Sequence, residues 1–248
     1  MYRKGFFKST TTTPSLLTYD QKEKIRDLYF QTKQKEFFEY IAQIEKNTLD
    51  RYYLQYIQGW FYKKLDDYEK AEEFLQRALE TYKKAVIDGT VERECGNYQI
   101  VFGKLYHEIA VKKGDWKGKT KEEILNLAIE YYLKGIKLGG MARPIHTLNN
   151  LGECYEMIGK EEEAVLYYEK AREKDKEDYW AYEKLAAIYE RKGNLDKAKG
   201  FAEIAKDLKQ AQDKLSGKAK IEDILDMDSL GIQQKTLKAP TGWRNSGS

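Results

Sequence analysis

A residue pattern that recurs after thirty-four positions constrains the fold of this 248-residue chain more than any other feature. The stretches LGECYEMIGKEEEAVLYYEKA (151–171) and LAAIYERKGNLDKAKGFAEIA (185–205) place small, apolar and aromatic residues at matching positions. In each copy the first apolar residues follow the three-and-four spacing of one helix face, a Gly interrupts, and a second apolar stripe follows. Each copy therefore predicts two helices joined by a turn.

A helical hairpin of this kind cannot bury both of its faces alone, so we expect it to stack on copies of itself. We number one copy from Ile145 and the next from Tyr179. Positions 4, 7, 8, 11, 15, 20, 24 and 27 of the first copy are Leu148, Leu151, Gly152, Tyr155, Gly159, Ala164, Tyr168 and Ala171. The same positions of the second copy are Tyr182, Leu185, Ala186, Tyr189, Gly193, Ala198, Ala202 and Ala205. The small residues at positions 8 and 20 are expected to let the two helices of a hairpin approach closely.

These residues resemble the tetratricopeptide repeat, a two-helix unit of about thirty-four residues. Another copy starts at Tyr52, with Gly59 at position 8, and a degenerate copy starts at Gly96, with Gly103 at position 8 and a delayed second helix. The resemblance implies an all-α fold. We expect a right-handed α-solenoid of such hairpins, with extended basic tails at the N- and C-termini.

The pattern divides the chain into five parts. We expect a basic extended tail over 1–19, a divergent helical hairpin over 20–50, a repeat array over 51–215, a short capping helix over 216–231 and a second extended basic tail over 232–248. The capping helix is expected because the last hairpin would otherwise leave one apolar face in water. Within the array the repeats are expected near 52–86, 96–138 with an insertion, 145–178 and 179–212.

Charge and composition exclude several classes of protein. Each tail carries three basic residues and no acid, so the tails hold +6 and the remaining residues −3 of the net charge of +3. A mildly acidic body lacks the basic stripe of a nucleic-acid-binding protein, so no nucleic acid partner is expected. No apolar run is long enough to span a membrane. Two distant cysteines, Cys95 and Cys154, indicate a reducing intracellular compartment rather than a disulfide framework.

The sequence offers little site chemistry. The segment GDWKGKT (114–120) ends like a phosphate-binding loop, but it has three residues rather than four before its Gly-Lys-Thr and stands between two predicted helices. His107 and His146 have no Cys or carboxylate partner at metal-ligand spacing. No nucleophile, base and oxyanion donors come together. We therefore expect no enzyme, no catalytic residue, no cofactor and no metal.

The resemblance also implies where a partner binds. In tetratricopeptide repeats the first helices line a concave groove, through positions 2, 5, 6, 9, 12 and 13. Exposed Trp and Tyr are common anchors of interfaces. An alternative is that Tyr56 and Trp60 pack against the divergent hairpin before them. Carried over by position, the expected groove residues are Tyr53, Tyr56, Trp60, Lys63, Lys104, Asn149, Asn150, Trp180 and Lys184.

The tails suggest a second mode of binding. The N-terminal tail has the basic, acid-free composition of a mitochondrial transit peptide, although its Gly, Pro14 and four consecutive Thr oppose an amphipathic helix. We interpret both tails as straps that anchor the chain to neighbouring subunits. The expected anchor residues are Arg3, Lys4, Phe6, Phe7, Trp243 and Arg244.

The expected function is a non-catalytic protein-protein interaction scaffold. Other proteins of a large assembly would be its partners, and a ciliary axoneme and a mitochondrial complex are both candidate assemblies. A cytoplasmic or ciliary location is favoured over a mitochondrial one. The alternatives are a soluble adaptor that binds a partner peptide in its groove, and a regulatory or enzymatic helical protein.

Overall fold

The computed structural model describes residues 15–91, 96–140 and 144–216. Ten α-helices lie in these ranges, and they pair in chain order into five hairpins. The prediction of an all-α solenoid is confirmed. The helices are α1 (Tyr19–Phe30), α2 (Gln34–Glu45), α3 (Arg51–Lys64), α4 (Tyr68–Ile87), α5 (Asn97–Lys112), α6 (Lys121–Lys137), α7 (Pro144–Met157), α8 (Glu161–Lys174), α9 (Tyr179–Arg191) and α10 (Leu195–Ser216).

In the two middle hairpins, α5/α6 and α7/α8, a glycine of the first helix packs against a tyrosine ring of the second. A Cβ placed on Gly103 in α5 would lie 2.6 Å from the ring of Tyr132 in α6, and one on Gly152 in α7 would lie 2.8 Å from the ring of Tyr168 in α8. Both rings are fully buried. The aromatic ring at position 24 of the second helix therefore packs directly on the small residue at position 8. The sequence predicted only that the small residues at positions 8 and 20 let the two helices approach each other.

The turn inside each hairpin needs a left-handed residue. Gly159 and Gly193 supply it with φ of 76° and 73°. Asp66 stands at the same repeat position, with φ of 57°, a conformation that costs a non-glycine residue energy. Its carboxylate accepts hydrogen bonds from the Tyr68 hydroxyl at 2.8 Å and from the Lys112 ammonium at 2.9 Å. These bonds offset the strain in the turn.

The hairpin of α5 and α6 is built around three glycines. A Cβ on Gly96 would lie 2.0 Å from the carbonyl oxygen of Gly135 and 2.7 Å from the nitrogen of Gly140, so main chain touches main chain there. The loop 113–120 between the two helices closes with a pair of backbone bonds between Trp116 and Lys119. Its last residue, Thr120, caps α6 and forms a capping box with Glu123. The loop that resembles a phosphate loop is therefore a turn that ends in a helix cap.

The chain before α1 is bound to the body. The Ser15 backbone forms a parallel bridge with Thr48 in the α2–α3 connection. Leu17 is buried, and its N–H donates to a carboxylate oxygen of buried Asp50 at 2.9 Å. The expected extended tail over 1–19 is thus too long at its inner end, because residues 15–17 are fixed and α1 begins at Tyr19.

Several expectations lie outside the described residues. The capping helix over 216–231 and the tail over 232–248 start at or beyond the end of α10. The six expected tail anchors also lie outside the described residues; they are Arg3, Lys4, Phe6, Phe7, Trp243 and Arg244. Among the described helices, none is long and apolar enough to cross a membrane.

Candidate functional site

The first helices α3, α5, α7 and α9 form one face of the solenoid, which we call the inner face. Ion pairs link α3 to α5 and α7 to α9 along it, and His107 of α5 faces Glu153 of α7. The expected groove residues lie on this face to very different depths. Tyr53, Tyr56 and Asn149 are buried; Trp60, Lys63, Lys104, Asn150 and Lys184 are half-buried; and Trp180 is 37% exposed. The contact surface is therefore narrower than the repeat positions suggest.

An aromatic cluster occupies the α3 end of the inner face. The ring of Tyr56 lies 5.7 Å from that of Tyr98 on α5, in an edge-on contact, and 6.2 Å from that of Trp60. The ammonium groups of Lys63 and Lys104 lie 4.5 Å and 5.9 Å from the Trp60 ring. The indole thus keeps a half-exposed face bordered by positive charge, which suits an apolar or aromatic ligand side chain.

Where α3 packs on the preceding hairpin, the ring contacts come from residues other than Tyr56 and Trp60, for which that packing was the alternative. Phe61, one residue further around α3, makes that contact: its ring stacks on Phe37 of α2 at 4.3 Å. Tyr29 of α1 meets the same ring edge-on at 5.8 Å. One residue of a helix corresponds to about 100° of rotation, which directs Trp60 to the inner face and Phe61 to the first hairpin.

A ladder of charged and polar side chains crosses the middle of the inner face. Lys63 of α3 pairs with Glu108 of α5. His107 of α5 faces Glu153 of α7, and Lys184 of α9 lies 3.5 Å from the same carboxylate. Two of the three expected groove lysines, Lys63 and Lys184, therefore already neutralise acids of the chain. The ladder holds neighbouring first helices together and leaves little net charge for a partner.

Burial and neighbouring charges shift the pKa values of Glu108 and His107 on α5 in opposite directions. Burial alone would raise the pKa of Glu108, but the ammonium groups of Lys63 and Lys112 outweigh it and lower that pKa. Burial lowers the pKa of His107, and the carboxylates of Glu153 and Glu108 only partly oppose this. The imidazole is therefore neutral at neutral pH, with one nitrogen that donates and one that accepts.

Two amides of α7 are held in place by single hydrogen bonds. The Asn149 side-chain NH₂ donates to the Asp178 carboxylate at 2.6 Å, which ties α7 to the start of α9. The Asn150 side-chain NH₂ donates to the Tyr132 hydroxyl at 3.3 Å. Asn150 remains half-buried, so the rest of its amide is open to a ligand.

Three buried polar atoms of the inner face have no hydrogen-bond partner among the described residues. They are the Trp60 indole nitrogen, the His107 Nε2 and the Asn149 side-chain carbonyl oxygen. The His107 Nε2 lies 3.6 Å from the Glu153 carboxylate, which is too long for a hydrogen bond. A buried polar atom without a partner costs about 1–3 kcal/mol. The three atoms come from three successive first helices, and all occupy repeat positions expected to line the groove.

His107 belongs to the inner face although it is not among the expected groove residues. It stands at position 12 of the degenerate copy, which is a groove position. Its burial could not be anticipated because α5 is surrounded on nearly every side, with twelve buried residues along its sixteen. The mainly apolar sequence of α5, whose charged residues Lys104, Glu108 and Lys112 lie on one narrow stripe, is the signal that could have indicated this burial.

Comparison with known proteins agrees with this architecture. Models of the tetratricopeptide repeat match residues 52–84 and 147–178, which form the hairpins α3/α4 and α7/α8. The fold is similar to that of YrrB, described as a tetratricopeptide repeat protein with an unusual peptide-binding site. That match has 16% identity and a TM-score of 0.53, over 77% of this chain and 85% of YrrB. The chain contains tetratricopeptide repeats.

Two further solved structures resemble this chain in fold. MamA from Desulfovibrio magneticus RS-1, residues 41 to the end, has 15% identity and a TM-score of 0.56 over 79% of this chain and 99% of MamA. PilW, a widely conserved type IV pilus biogenesis factor, has 14% identity and a TM-score of 0.56 over 78% of this chain and 80% of PilW. At such identities the likeness concerns the fold. No curated protein matches the chain in sequence.

Two observations concern reactive groups in the part of the chain that the structure describes. Cys154 is buried in the core, and burial raises the pKa of its thiol, with the Glu153 carboxylate adding to the effect. A thiol in that state is a poor nucleophile. In the described ranges, no three His, Cys, Asp or Glu side chains come together as a metal site.

Proposed function

We propose that this repeat protein is a non-catalytic protein-interaction module whose inner face binds an extended peptide segment of a partner. The observation that carries the proposal is the inner face itself, on which the half-buried side chains of Trp60 and Asn150 and the exposed ring of Trp180 come from three of the first helices. A peptide backbone presents alternating carbonyl oxygens and N–H groups. It can therefore bond to the part of the Asn150 amide that Tyr132 does not use, while its side chains pack against the two indoles.

The same surface indicates the chemistry of the peptide. The half-exposed indole of Trp60 offers an aromatic surface at the α3 end, and the exposed ring of Trp180 offers a second at the α9 end. Between them the charges are paired within the chain, as Lys63 and Lys184 show. A peptide with apolar or aromatic side chains and few charges fits this distribution better than a strongly acidic or basic one. Peptide binding by YrrB, a protein of similar fold, supports this use of the face.

A selection from a random peptide library displayed on phage tests the proposal. The full chain is the bait, and the enriched peptides are then titrated against variants by calorimetry. Trp60→Ala combined with Asn150→Ala should weaken binding by at least about tenfold, since an interface anchor contributes about 1–2 kcal/mol or more. Peptides that bind this double variant as tightly as the native chain would contradict the proposal.

The chain contains a matched control for the indole. Trp116 in the α5–α6 loop is also half-buried and also has a lysine ammonium against its ring, that of Lys117 at 4.4 Å. Trp116→Ala removes the same side chain from a site off the inner face. It should leave peptide affinity within about twofold of the native value, because surface contacts away from the anchor contribute little.

A second candidate function is an architectural subunit of a larger assembly, of which the ciliary axoneme and a mitochondrial complex are examples. It depends on the basic tails, and one observation bears on it: Ser15 and Leu17 fix the inner end of the N-terminal tail beside the α2–α3 connection. Partners anchored by that tail should therefore contact the first hairpin. Affinity purification from the native source should compare the full chain with one that lacks 1–14 and 232–248. A stable partner set lost only from the shortened chain would favour this candidate; an unchanged set would count against it.

A further inference from the structure

An open apolar cleft lies on the face opposite the inner face, between the second helices α6 and α8. Its volume is about 490 Å³. Leu133 and Ile136 of α6 line one side and remain 37% and 39% exposed, Tyr167 of α8 lines the other, and Leu148 of α7 lies against both. Apolar side chains gathered in one concave place, rather than scattered singly, mark a binding surface.

The rim of the cleft is mainly basic. Lys170 and Lys174 of α8 line it, and the Lys170 ammonium lies 4.8 Å from the Tyr167 ring. One acid, Glu173, stands between them. The cleft therefore combines an apolar floor with a positive edge, and an acidic segment with an apolar face would complement it.

We propose that residues 221–230 of the same chain, IEDILDMDSL, occupy this cleft. The segment has four acids and no base, and Ile221, Ile224 and Leu225 recur at the spacing of one helix face. The apolar face would cover Leu133 and Ile136 while the acids meet the two rim lysines. This site is separate from the inner face, so it does not depend on peptide binding there.

The cleft is within reach of the segment. Except for Tyr167 in the middle of α8, the cleft residues of α6 and α8 belong to the C-terminal halves of those helices. The cleft therefore opens near the side edge of the solenoid at which the second helices end. The helix α10 runs the same way and has 22 residues against 14 in α8, so its end lies about 12 Å further along at 1.5 Å per residue. The five Cα-to-Cα steps from Ser216 to Ile221 can span about 17 Å. With α8 about 10 Å to the side of α10, the return of about 12 Å and the sideways step together need about 16 Å, so this linker can reach back to α8.

The end of the solenoid is the alternative site for the same segment. A cap over the last hairpin would need a continuous apolar stripe on α10. Phe201, Ile204, Leu208 and Ala211 recur there at the spacing of one helix face and are half-buried or exposed. That stripe comes from one helix, whereas the cleft presents apolar side chains of three helices in one concave place.

Carbodiimide cross-linking of the full chain tests this proposal, because the reagent joins a carboxylate to an amine only when the two are in contact. Mass spectrometry should find Lys170 or Lys174 joined to the acids of 221–230. In an equal mixture of ¹⁵N-labelled and unlabelled chains, the links should be within one isotope class. Links of mixed isotope composition would show a second copy as the occupant and would overturn the proposal.

Two double variants with matched chemistry complete the test. Leu133→Asp with Ile136→Asp should lower the yield of the link at least about fivefold, while Leu195→Asp with Ile204→Asp should leave it unchanged. The reverse result would place the segment on the end of the solenoid and overturn the proposal. All four side chains are more than a third exposed, so circular dichroism should show both variants folded.

A double substitution in the segment 221–230 tests the proposal even if the cleft variant fails to fold. Ile224→Asp with Leu225→Asp leaves the described helices untouched and should lower the same link at least about fivefold. A link that persists in this variant at the native yield would overturn the proposal, whatever the cleft variants do.

Discussion

Replacement of Gly103 by Ala tests the packing inside the hairpins through the sign of a stability change. The new Cβ would stand 2.6 Å from one atom of the Tyr132 ring and 2.8 Å from two others, where 3.4 Å begins ordinary contact, so the ring or the helix must move by about 0.8 Å. The ring is fully buried, and its hydroxyl is fixed by Asn150. Such overpacking costs about 1–3 kcal/mol of unfolding free energy.

Helix propensity opposes this cost. Ala is more favourable than Gly in a helix interior by about 1 kcal/mol, so the net loss for Gly103→Ala is about 0–2 kcal/mol. Gly200 in α10 provides the control, because a Cβ there would meet no atom within 4 Å. Gly200→Ala should therefore stabilise the chain by about 0.5–1 kcal/mol. The difference between the two variants isolates the contact and should be about 1–3 kcal/mol.

Urea unfolding followed by circular dichroism measures this difference, and hydrogen exchange locates it. Exchange is needed because a solenoid of repeats can unfold in parts. Gly103→Ala should raise exchange in α5 and α6, and Gly200→Ala should not. If Gly103→Ala stabilises the chain as Gly200→Ala does, the close approach of the glycine to Tyr132 is refuted.

Three more predictions follow from buried groups. Asp50→Ala removes the acceptor of a buried backbone N–H, so it should cost about 1–3 kcal/mol and abolish exchange protection before α1, as hydrogen exchange would show. Cys154, isolated by Cys95→Ser, should resist a thiol reagent at about pH 8 until urea unfolds the chain, because burial raises its pKa; rapid labelling of the folded chain would contradict this. Burial lowers the pKa of His107, so the unfolded chain takes up the proton first and stability should fall as pH drops below about 6.5. His107→Gln should reduce that fall between about pH 7.5 and about pH 5.5 in urea midpoints, and an equal fall in both chains would contradict the assignment.

The recurring pattern was sufficient to predict stacked hairpins because it specifies both the buried face of each helix and the interval at which hairpins repeat. The spacing of apolar residues sets the helix face, and the thirty-four-residue interval sets the stacking. The pattern did not predict the contact between Gly96, Gly135 and Gly140, where two main chains touch. Nothing in the local spacing of those glycines indicates which residues oppose them, since that depends on the length of the inserted loop.

The candidate site was predictable in position but not in exposure. Repeat numbering placed Trp60, Lys104 and Asn150 on the inner face, where the structure has them half-buried. It could not show that Tyr56 would be covered by Tyr98, or that Lys63 would pair with Glu108. Both contacts join residues of different hairpins, so they depend on how far each hairpin is rotated against the next, which a repeat pattern does not encode.

Photo-cross-linking of a selected peptide tests the central claim most directly. A library-selected peptide that carries a photoreactive diazirine is irradiated with the full chain, and mass spectrometry maps the joined residues. The account predicts links on α3, α5 and α7, near Trp60, Lys104 and Asn150, and their loss on competition with unlabelled peptide. Competed links on the second helices α4, α6 and α8 instead would contradict it and place peptide binding on the opposite face.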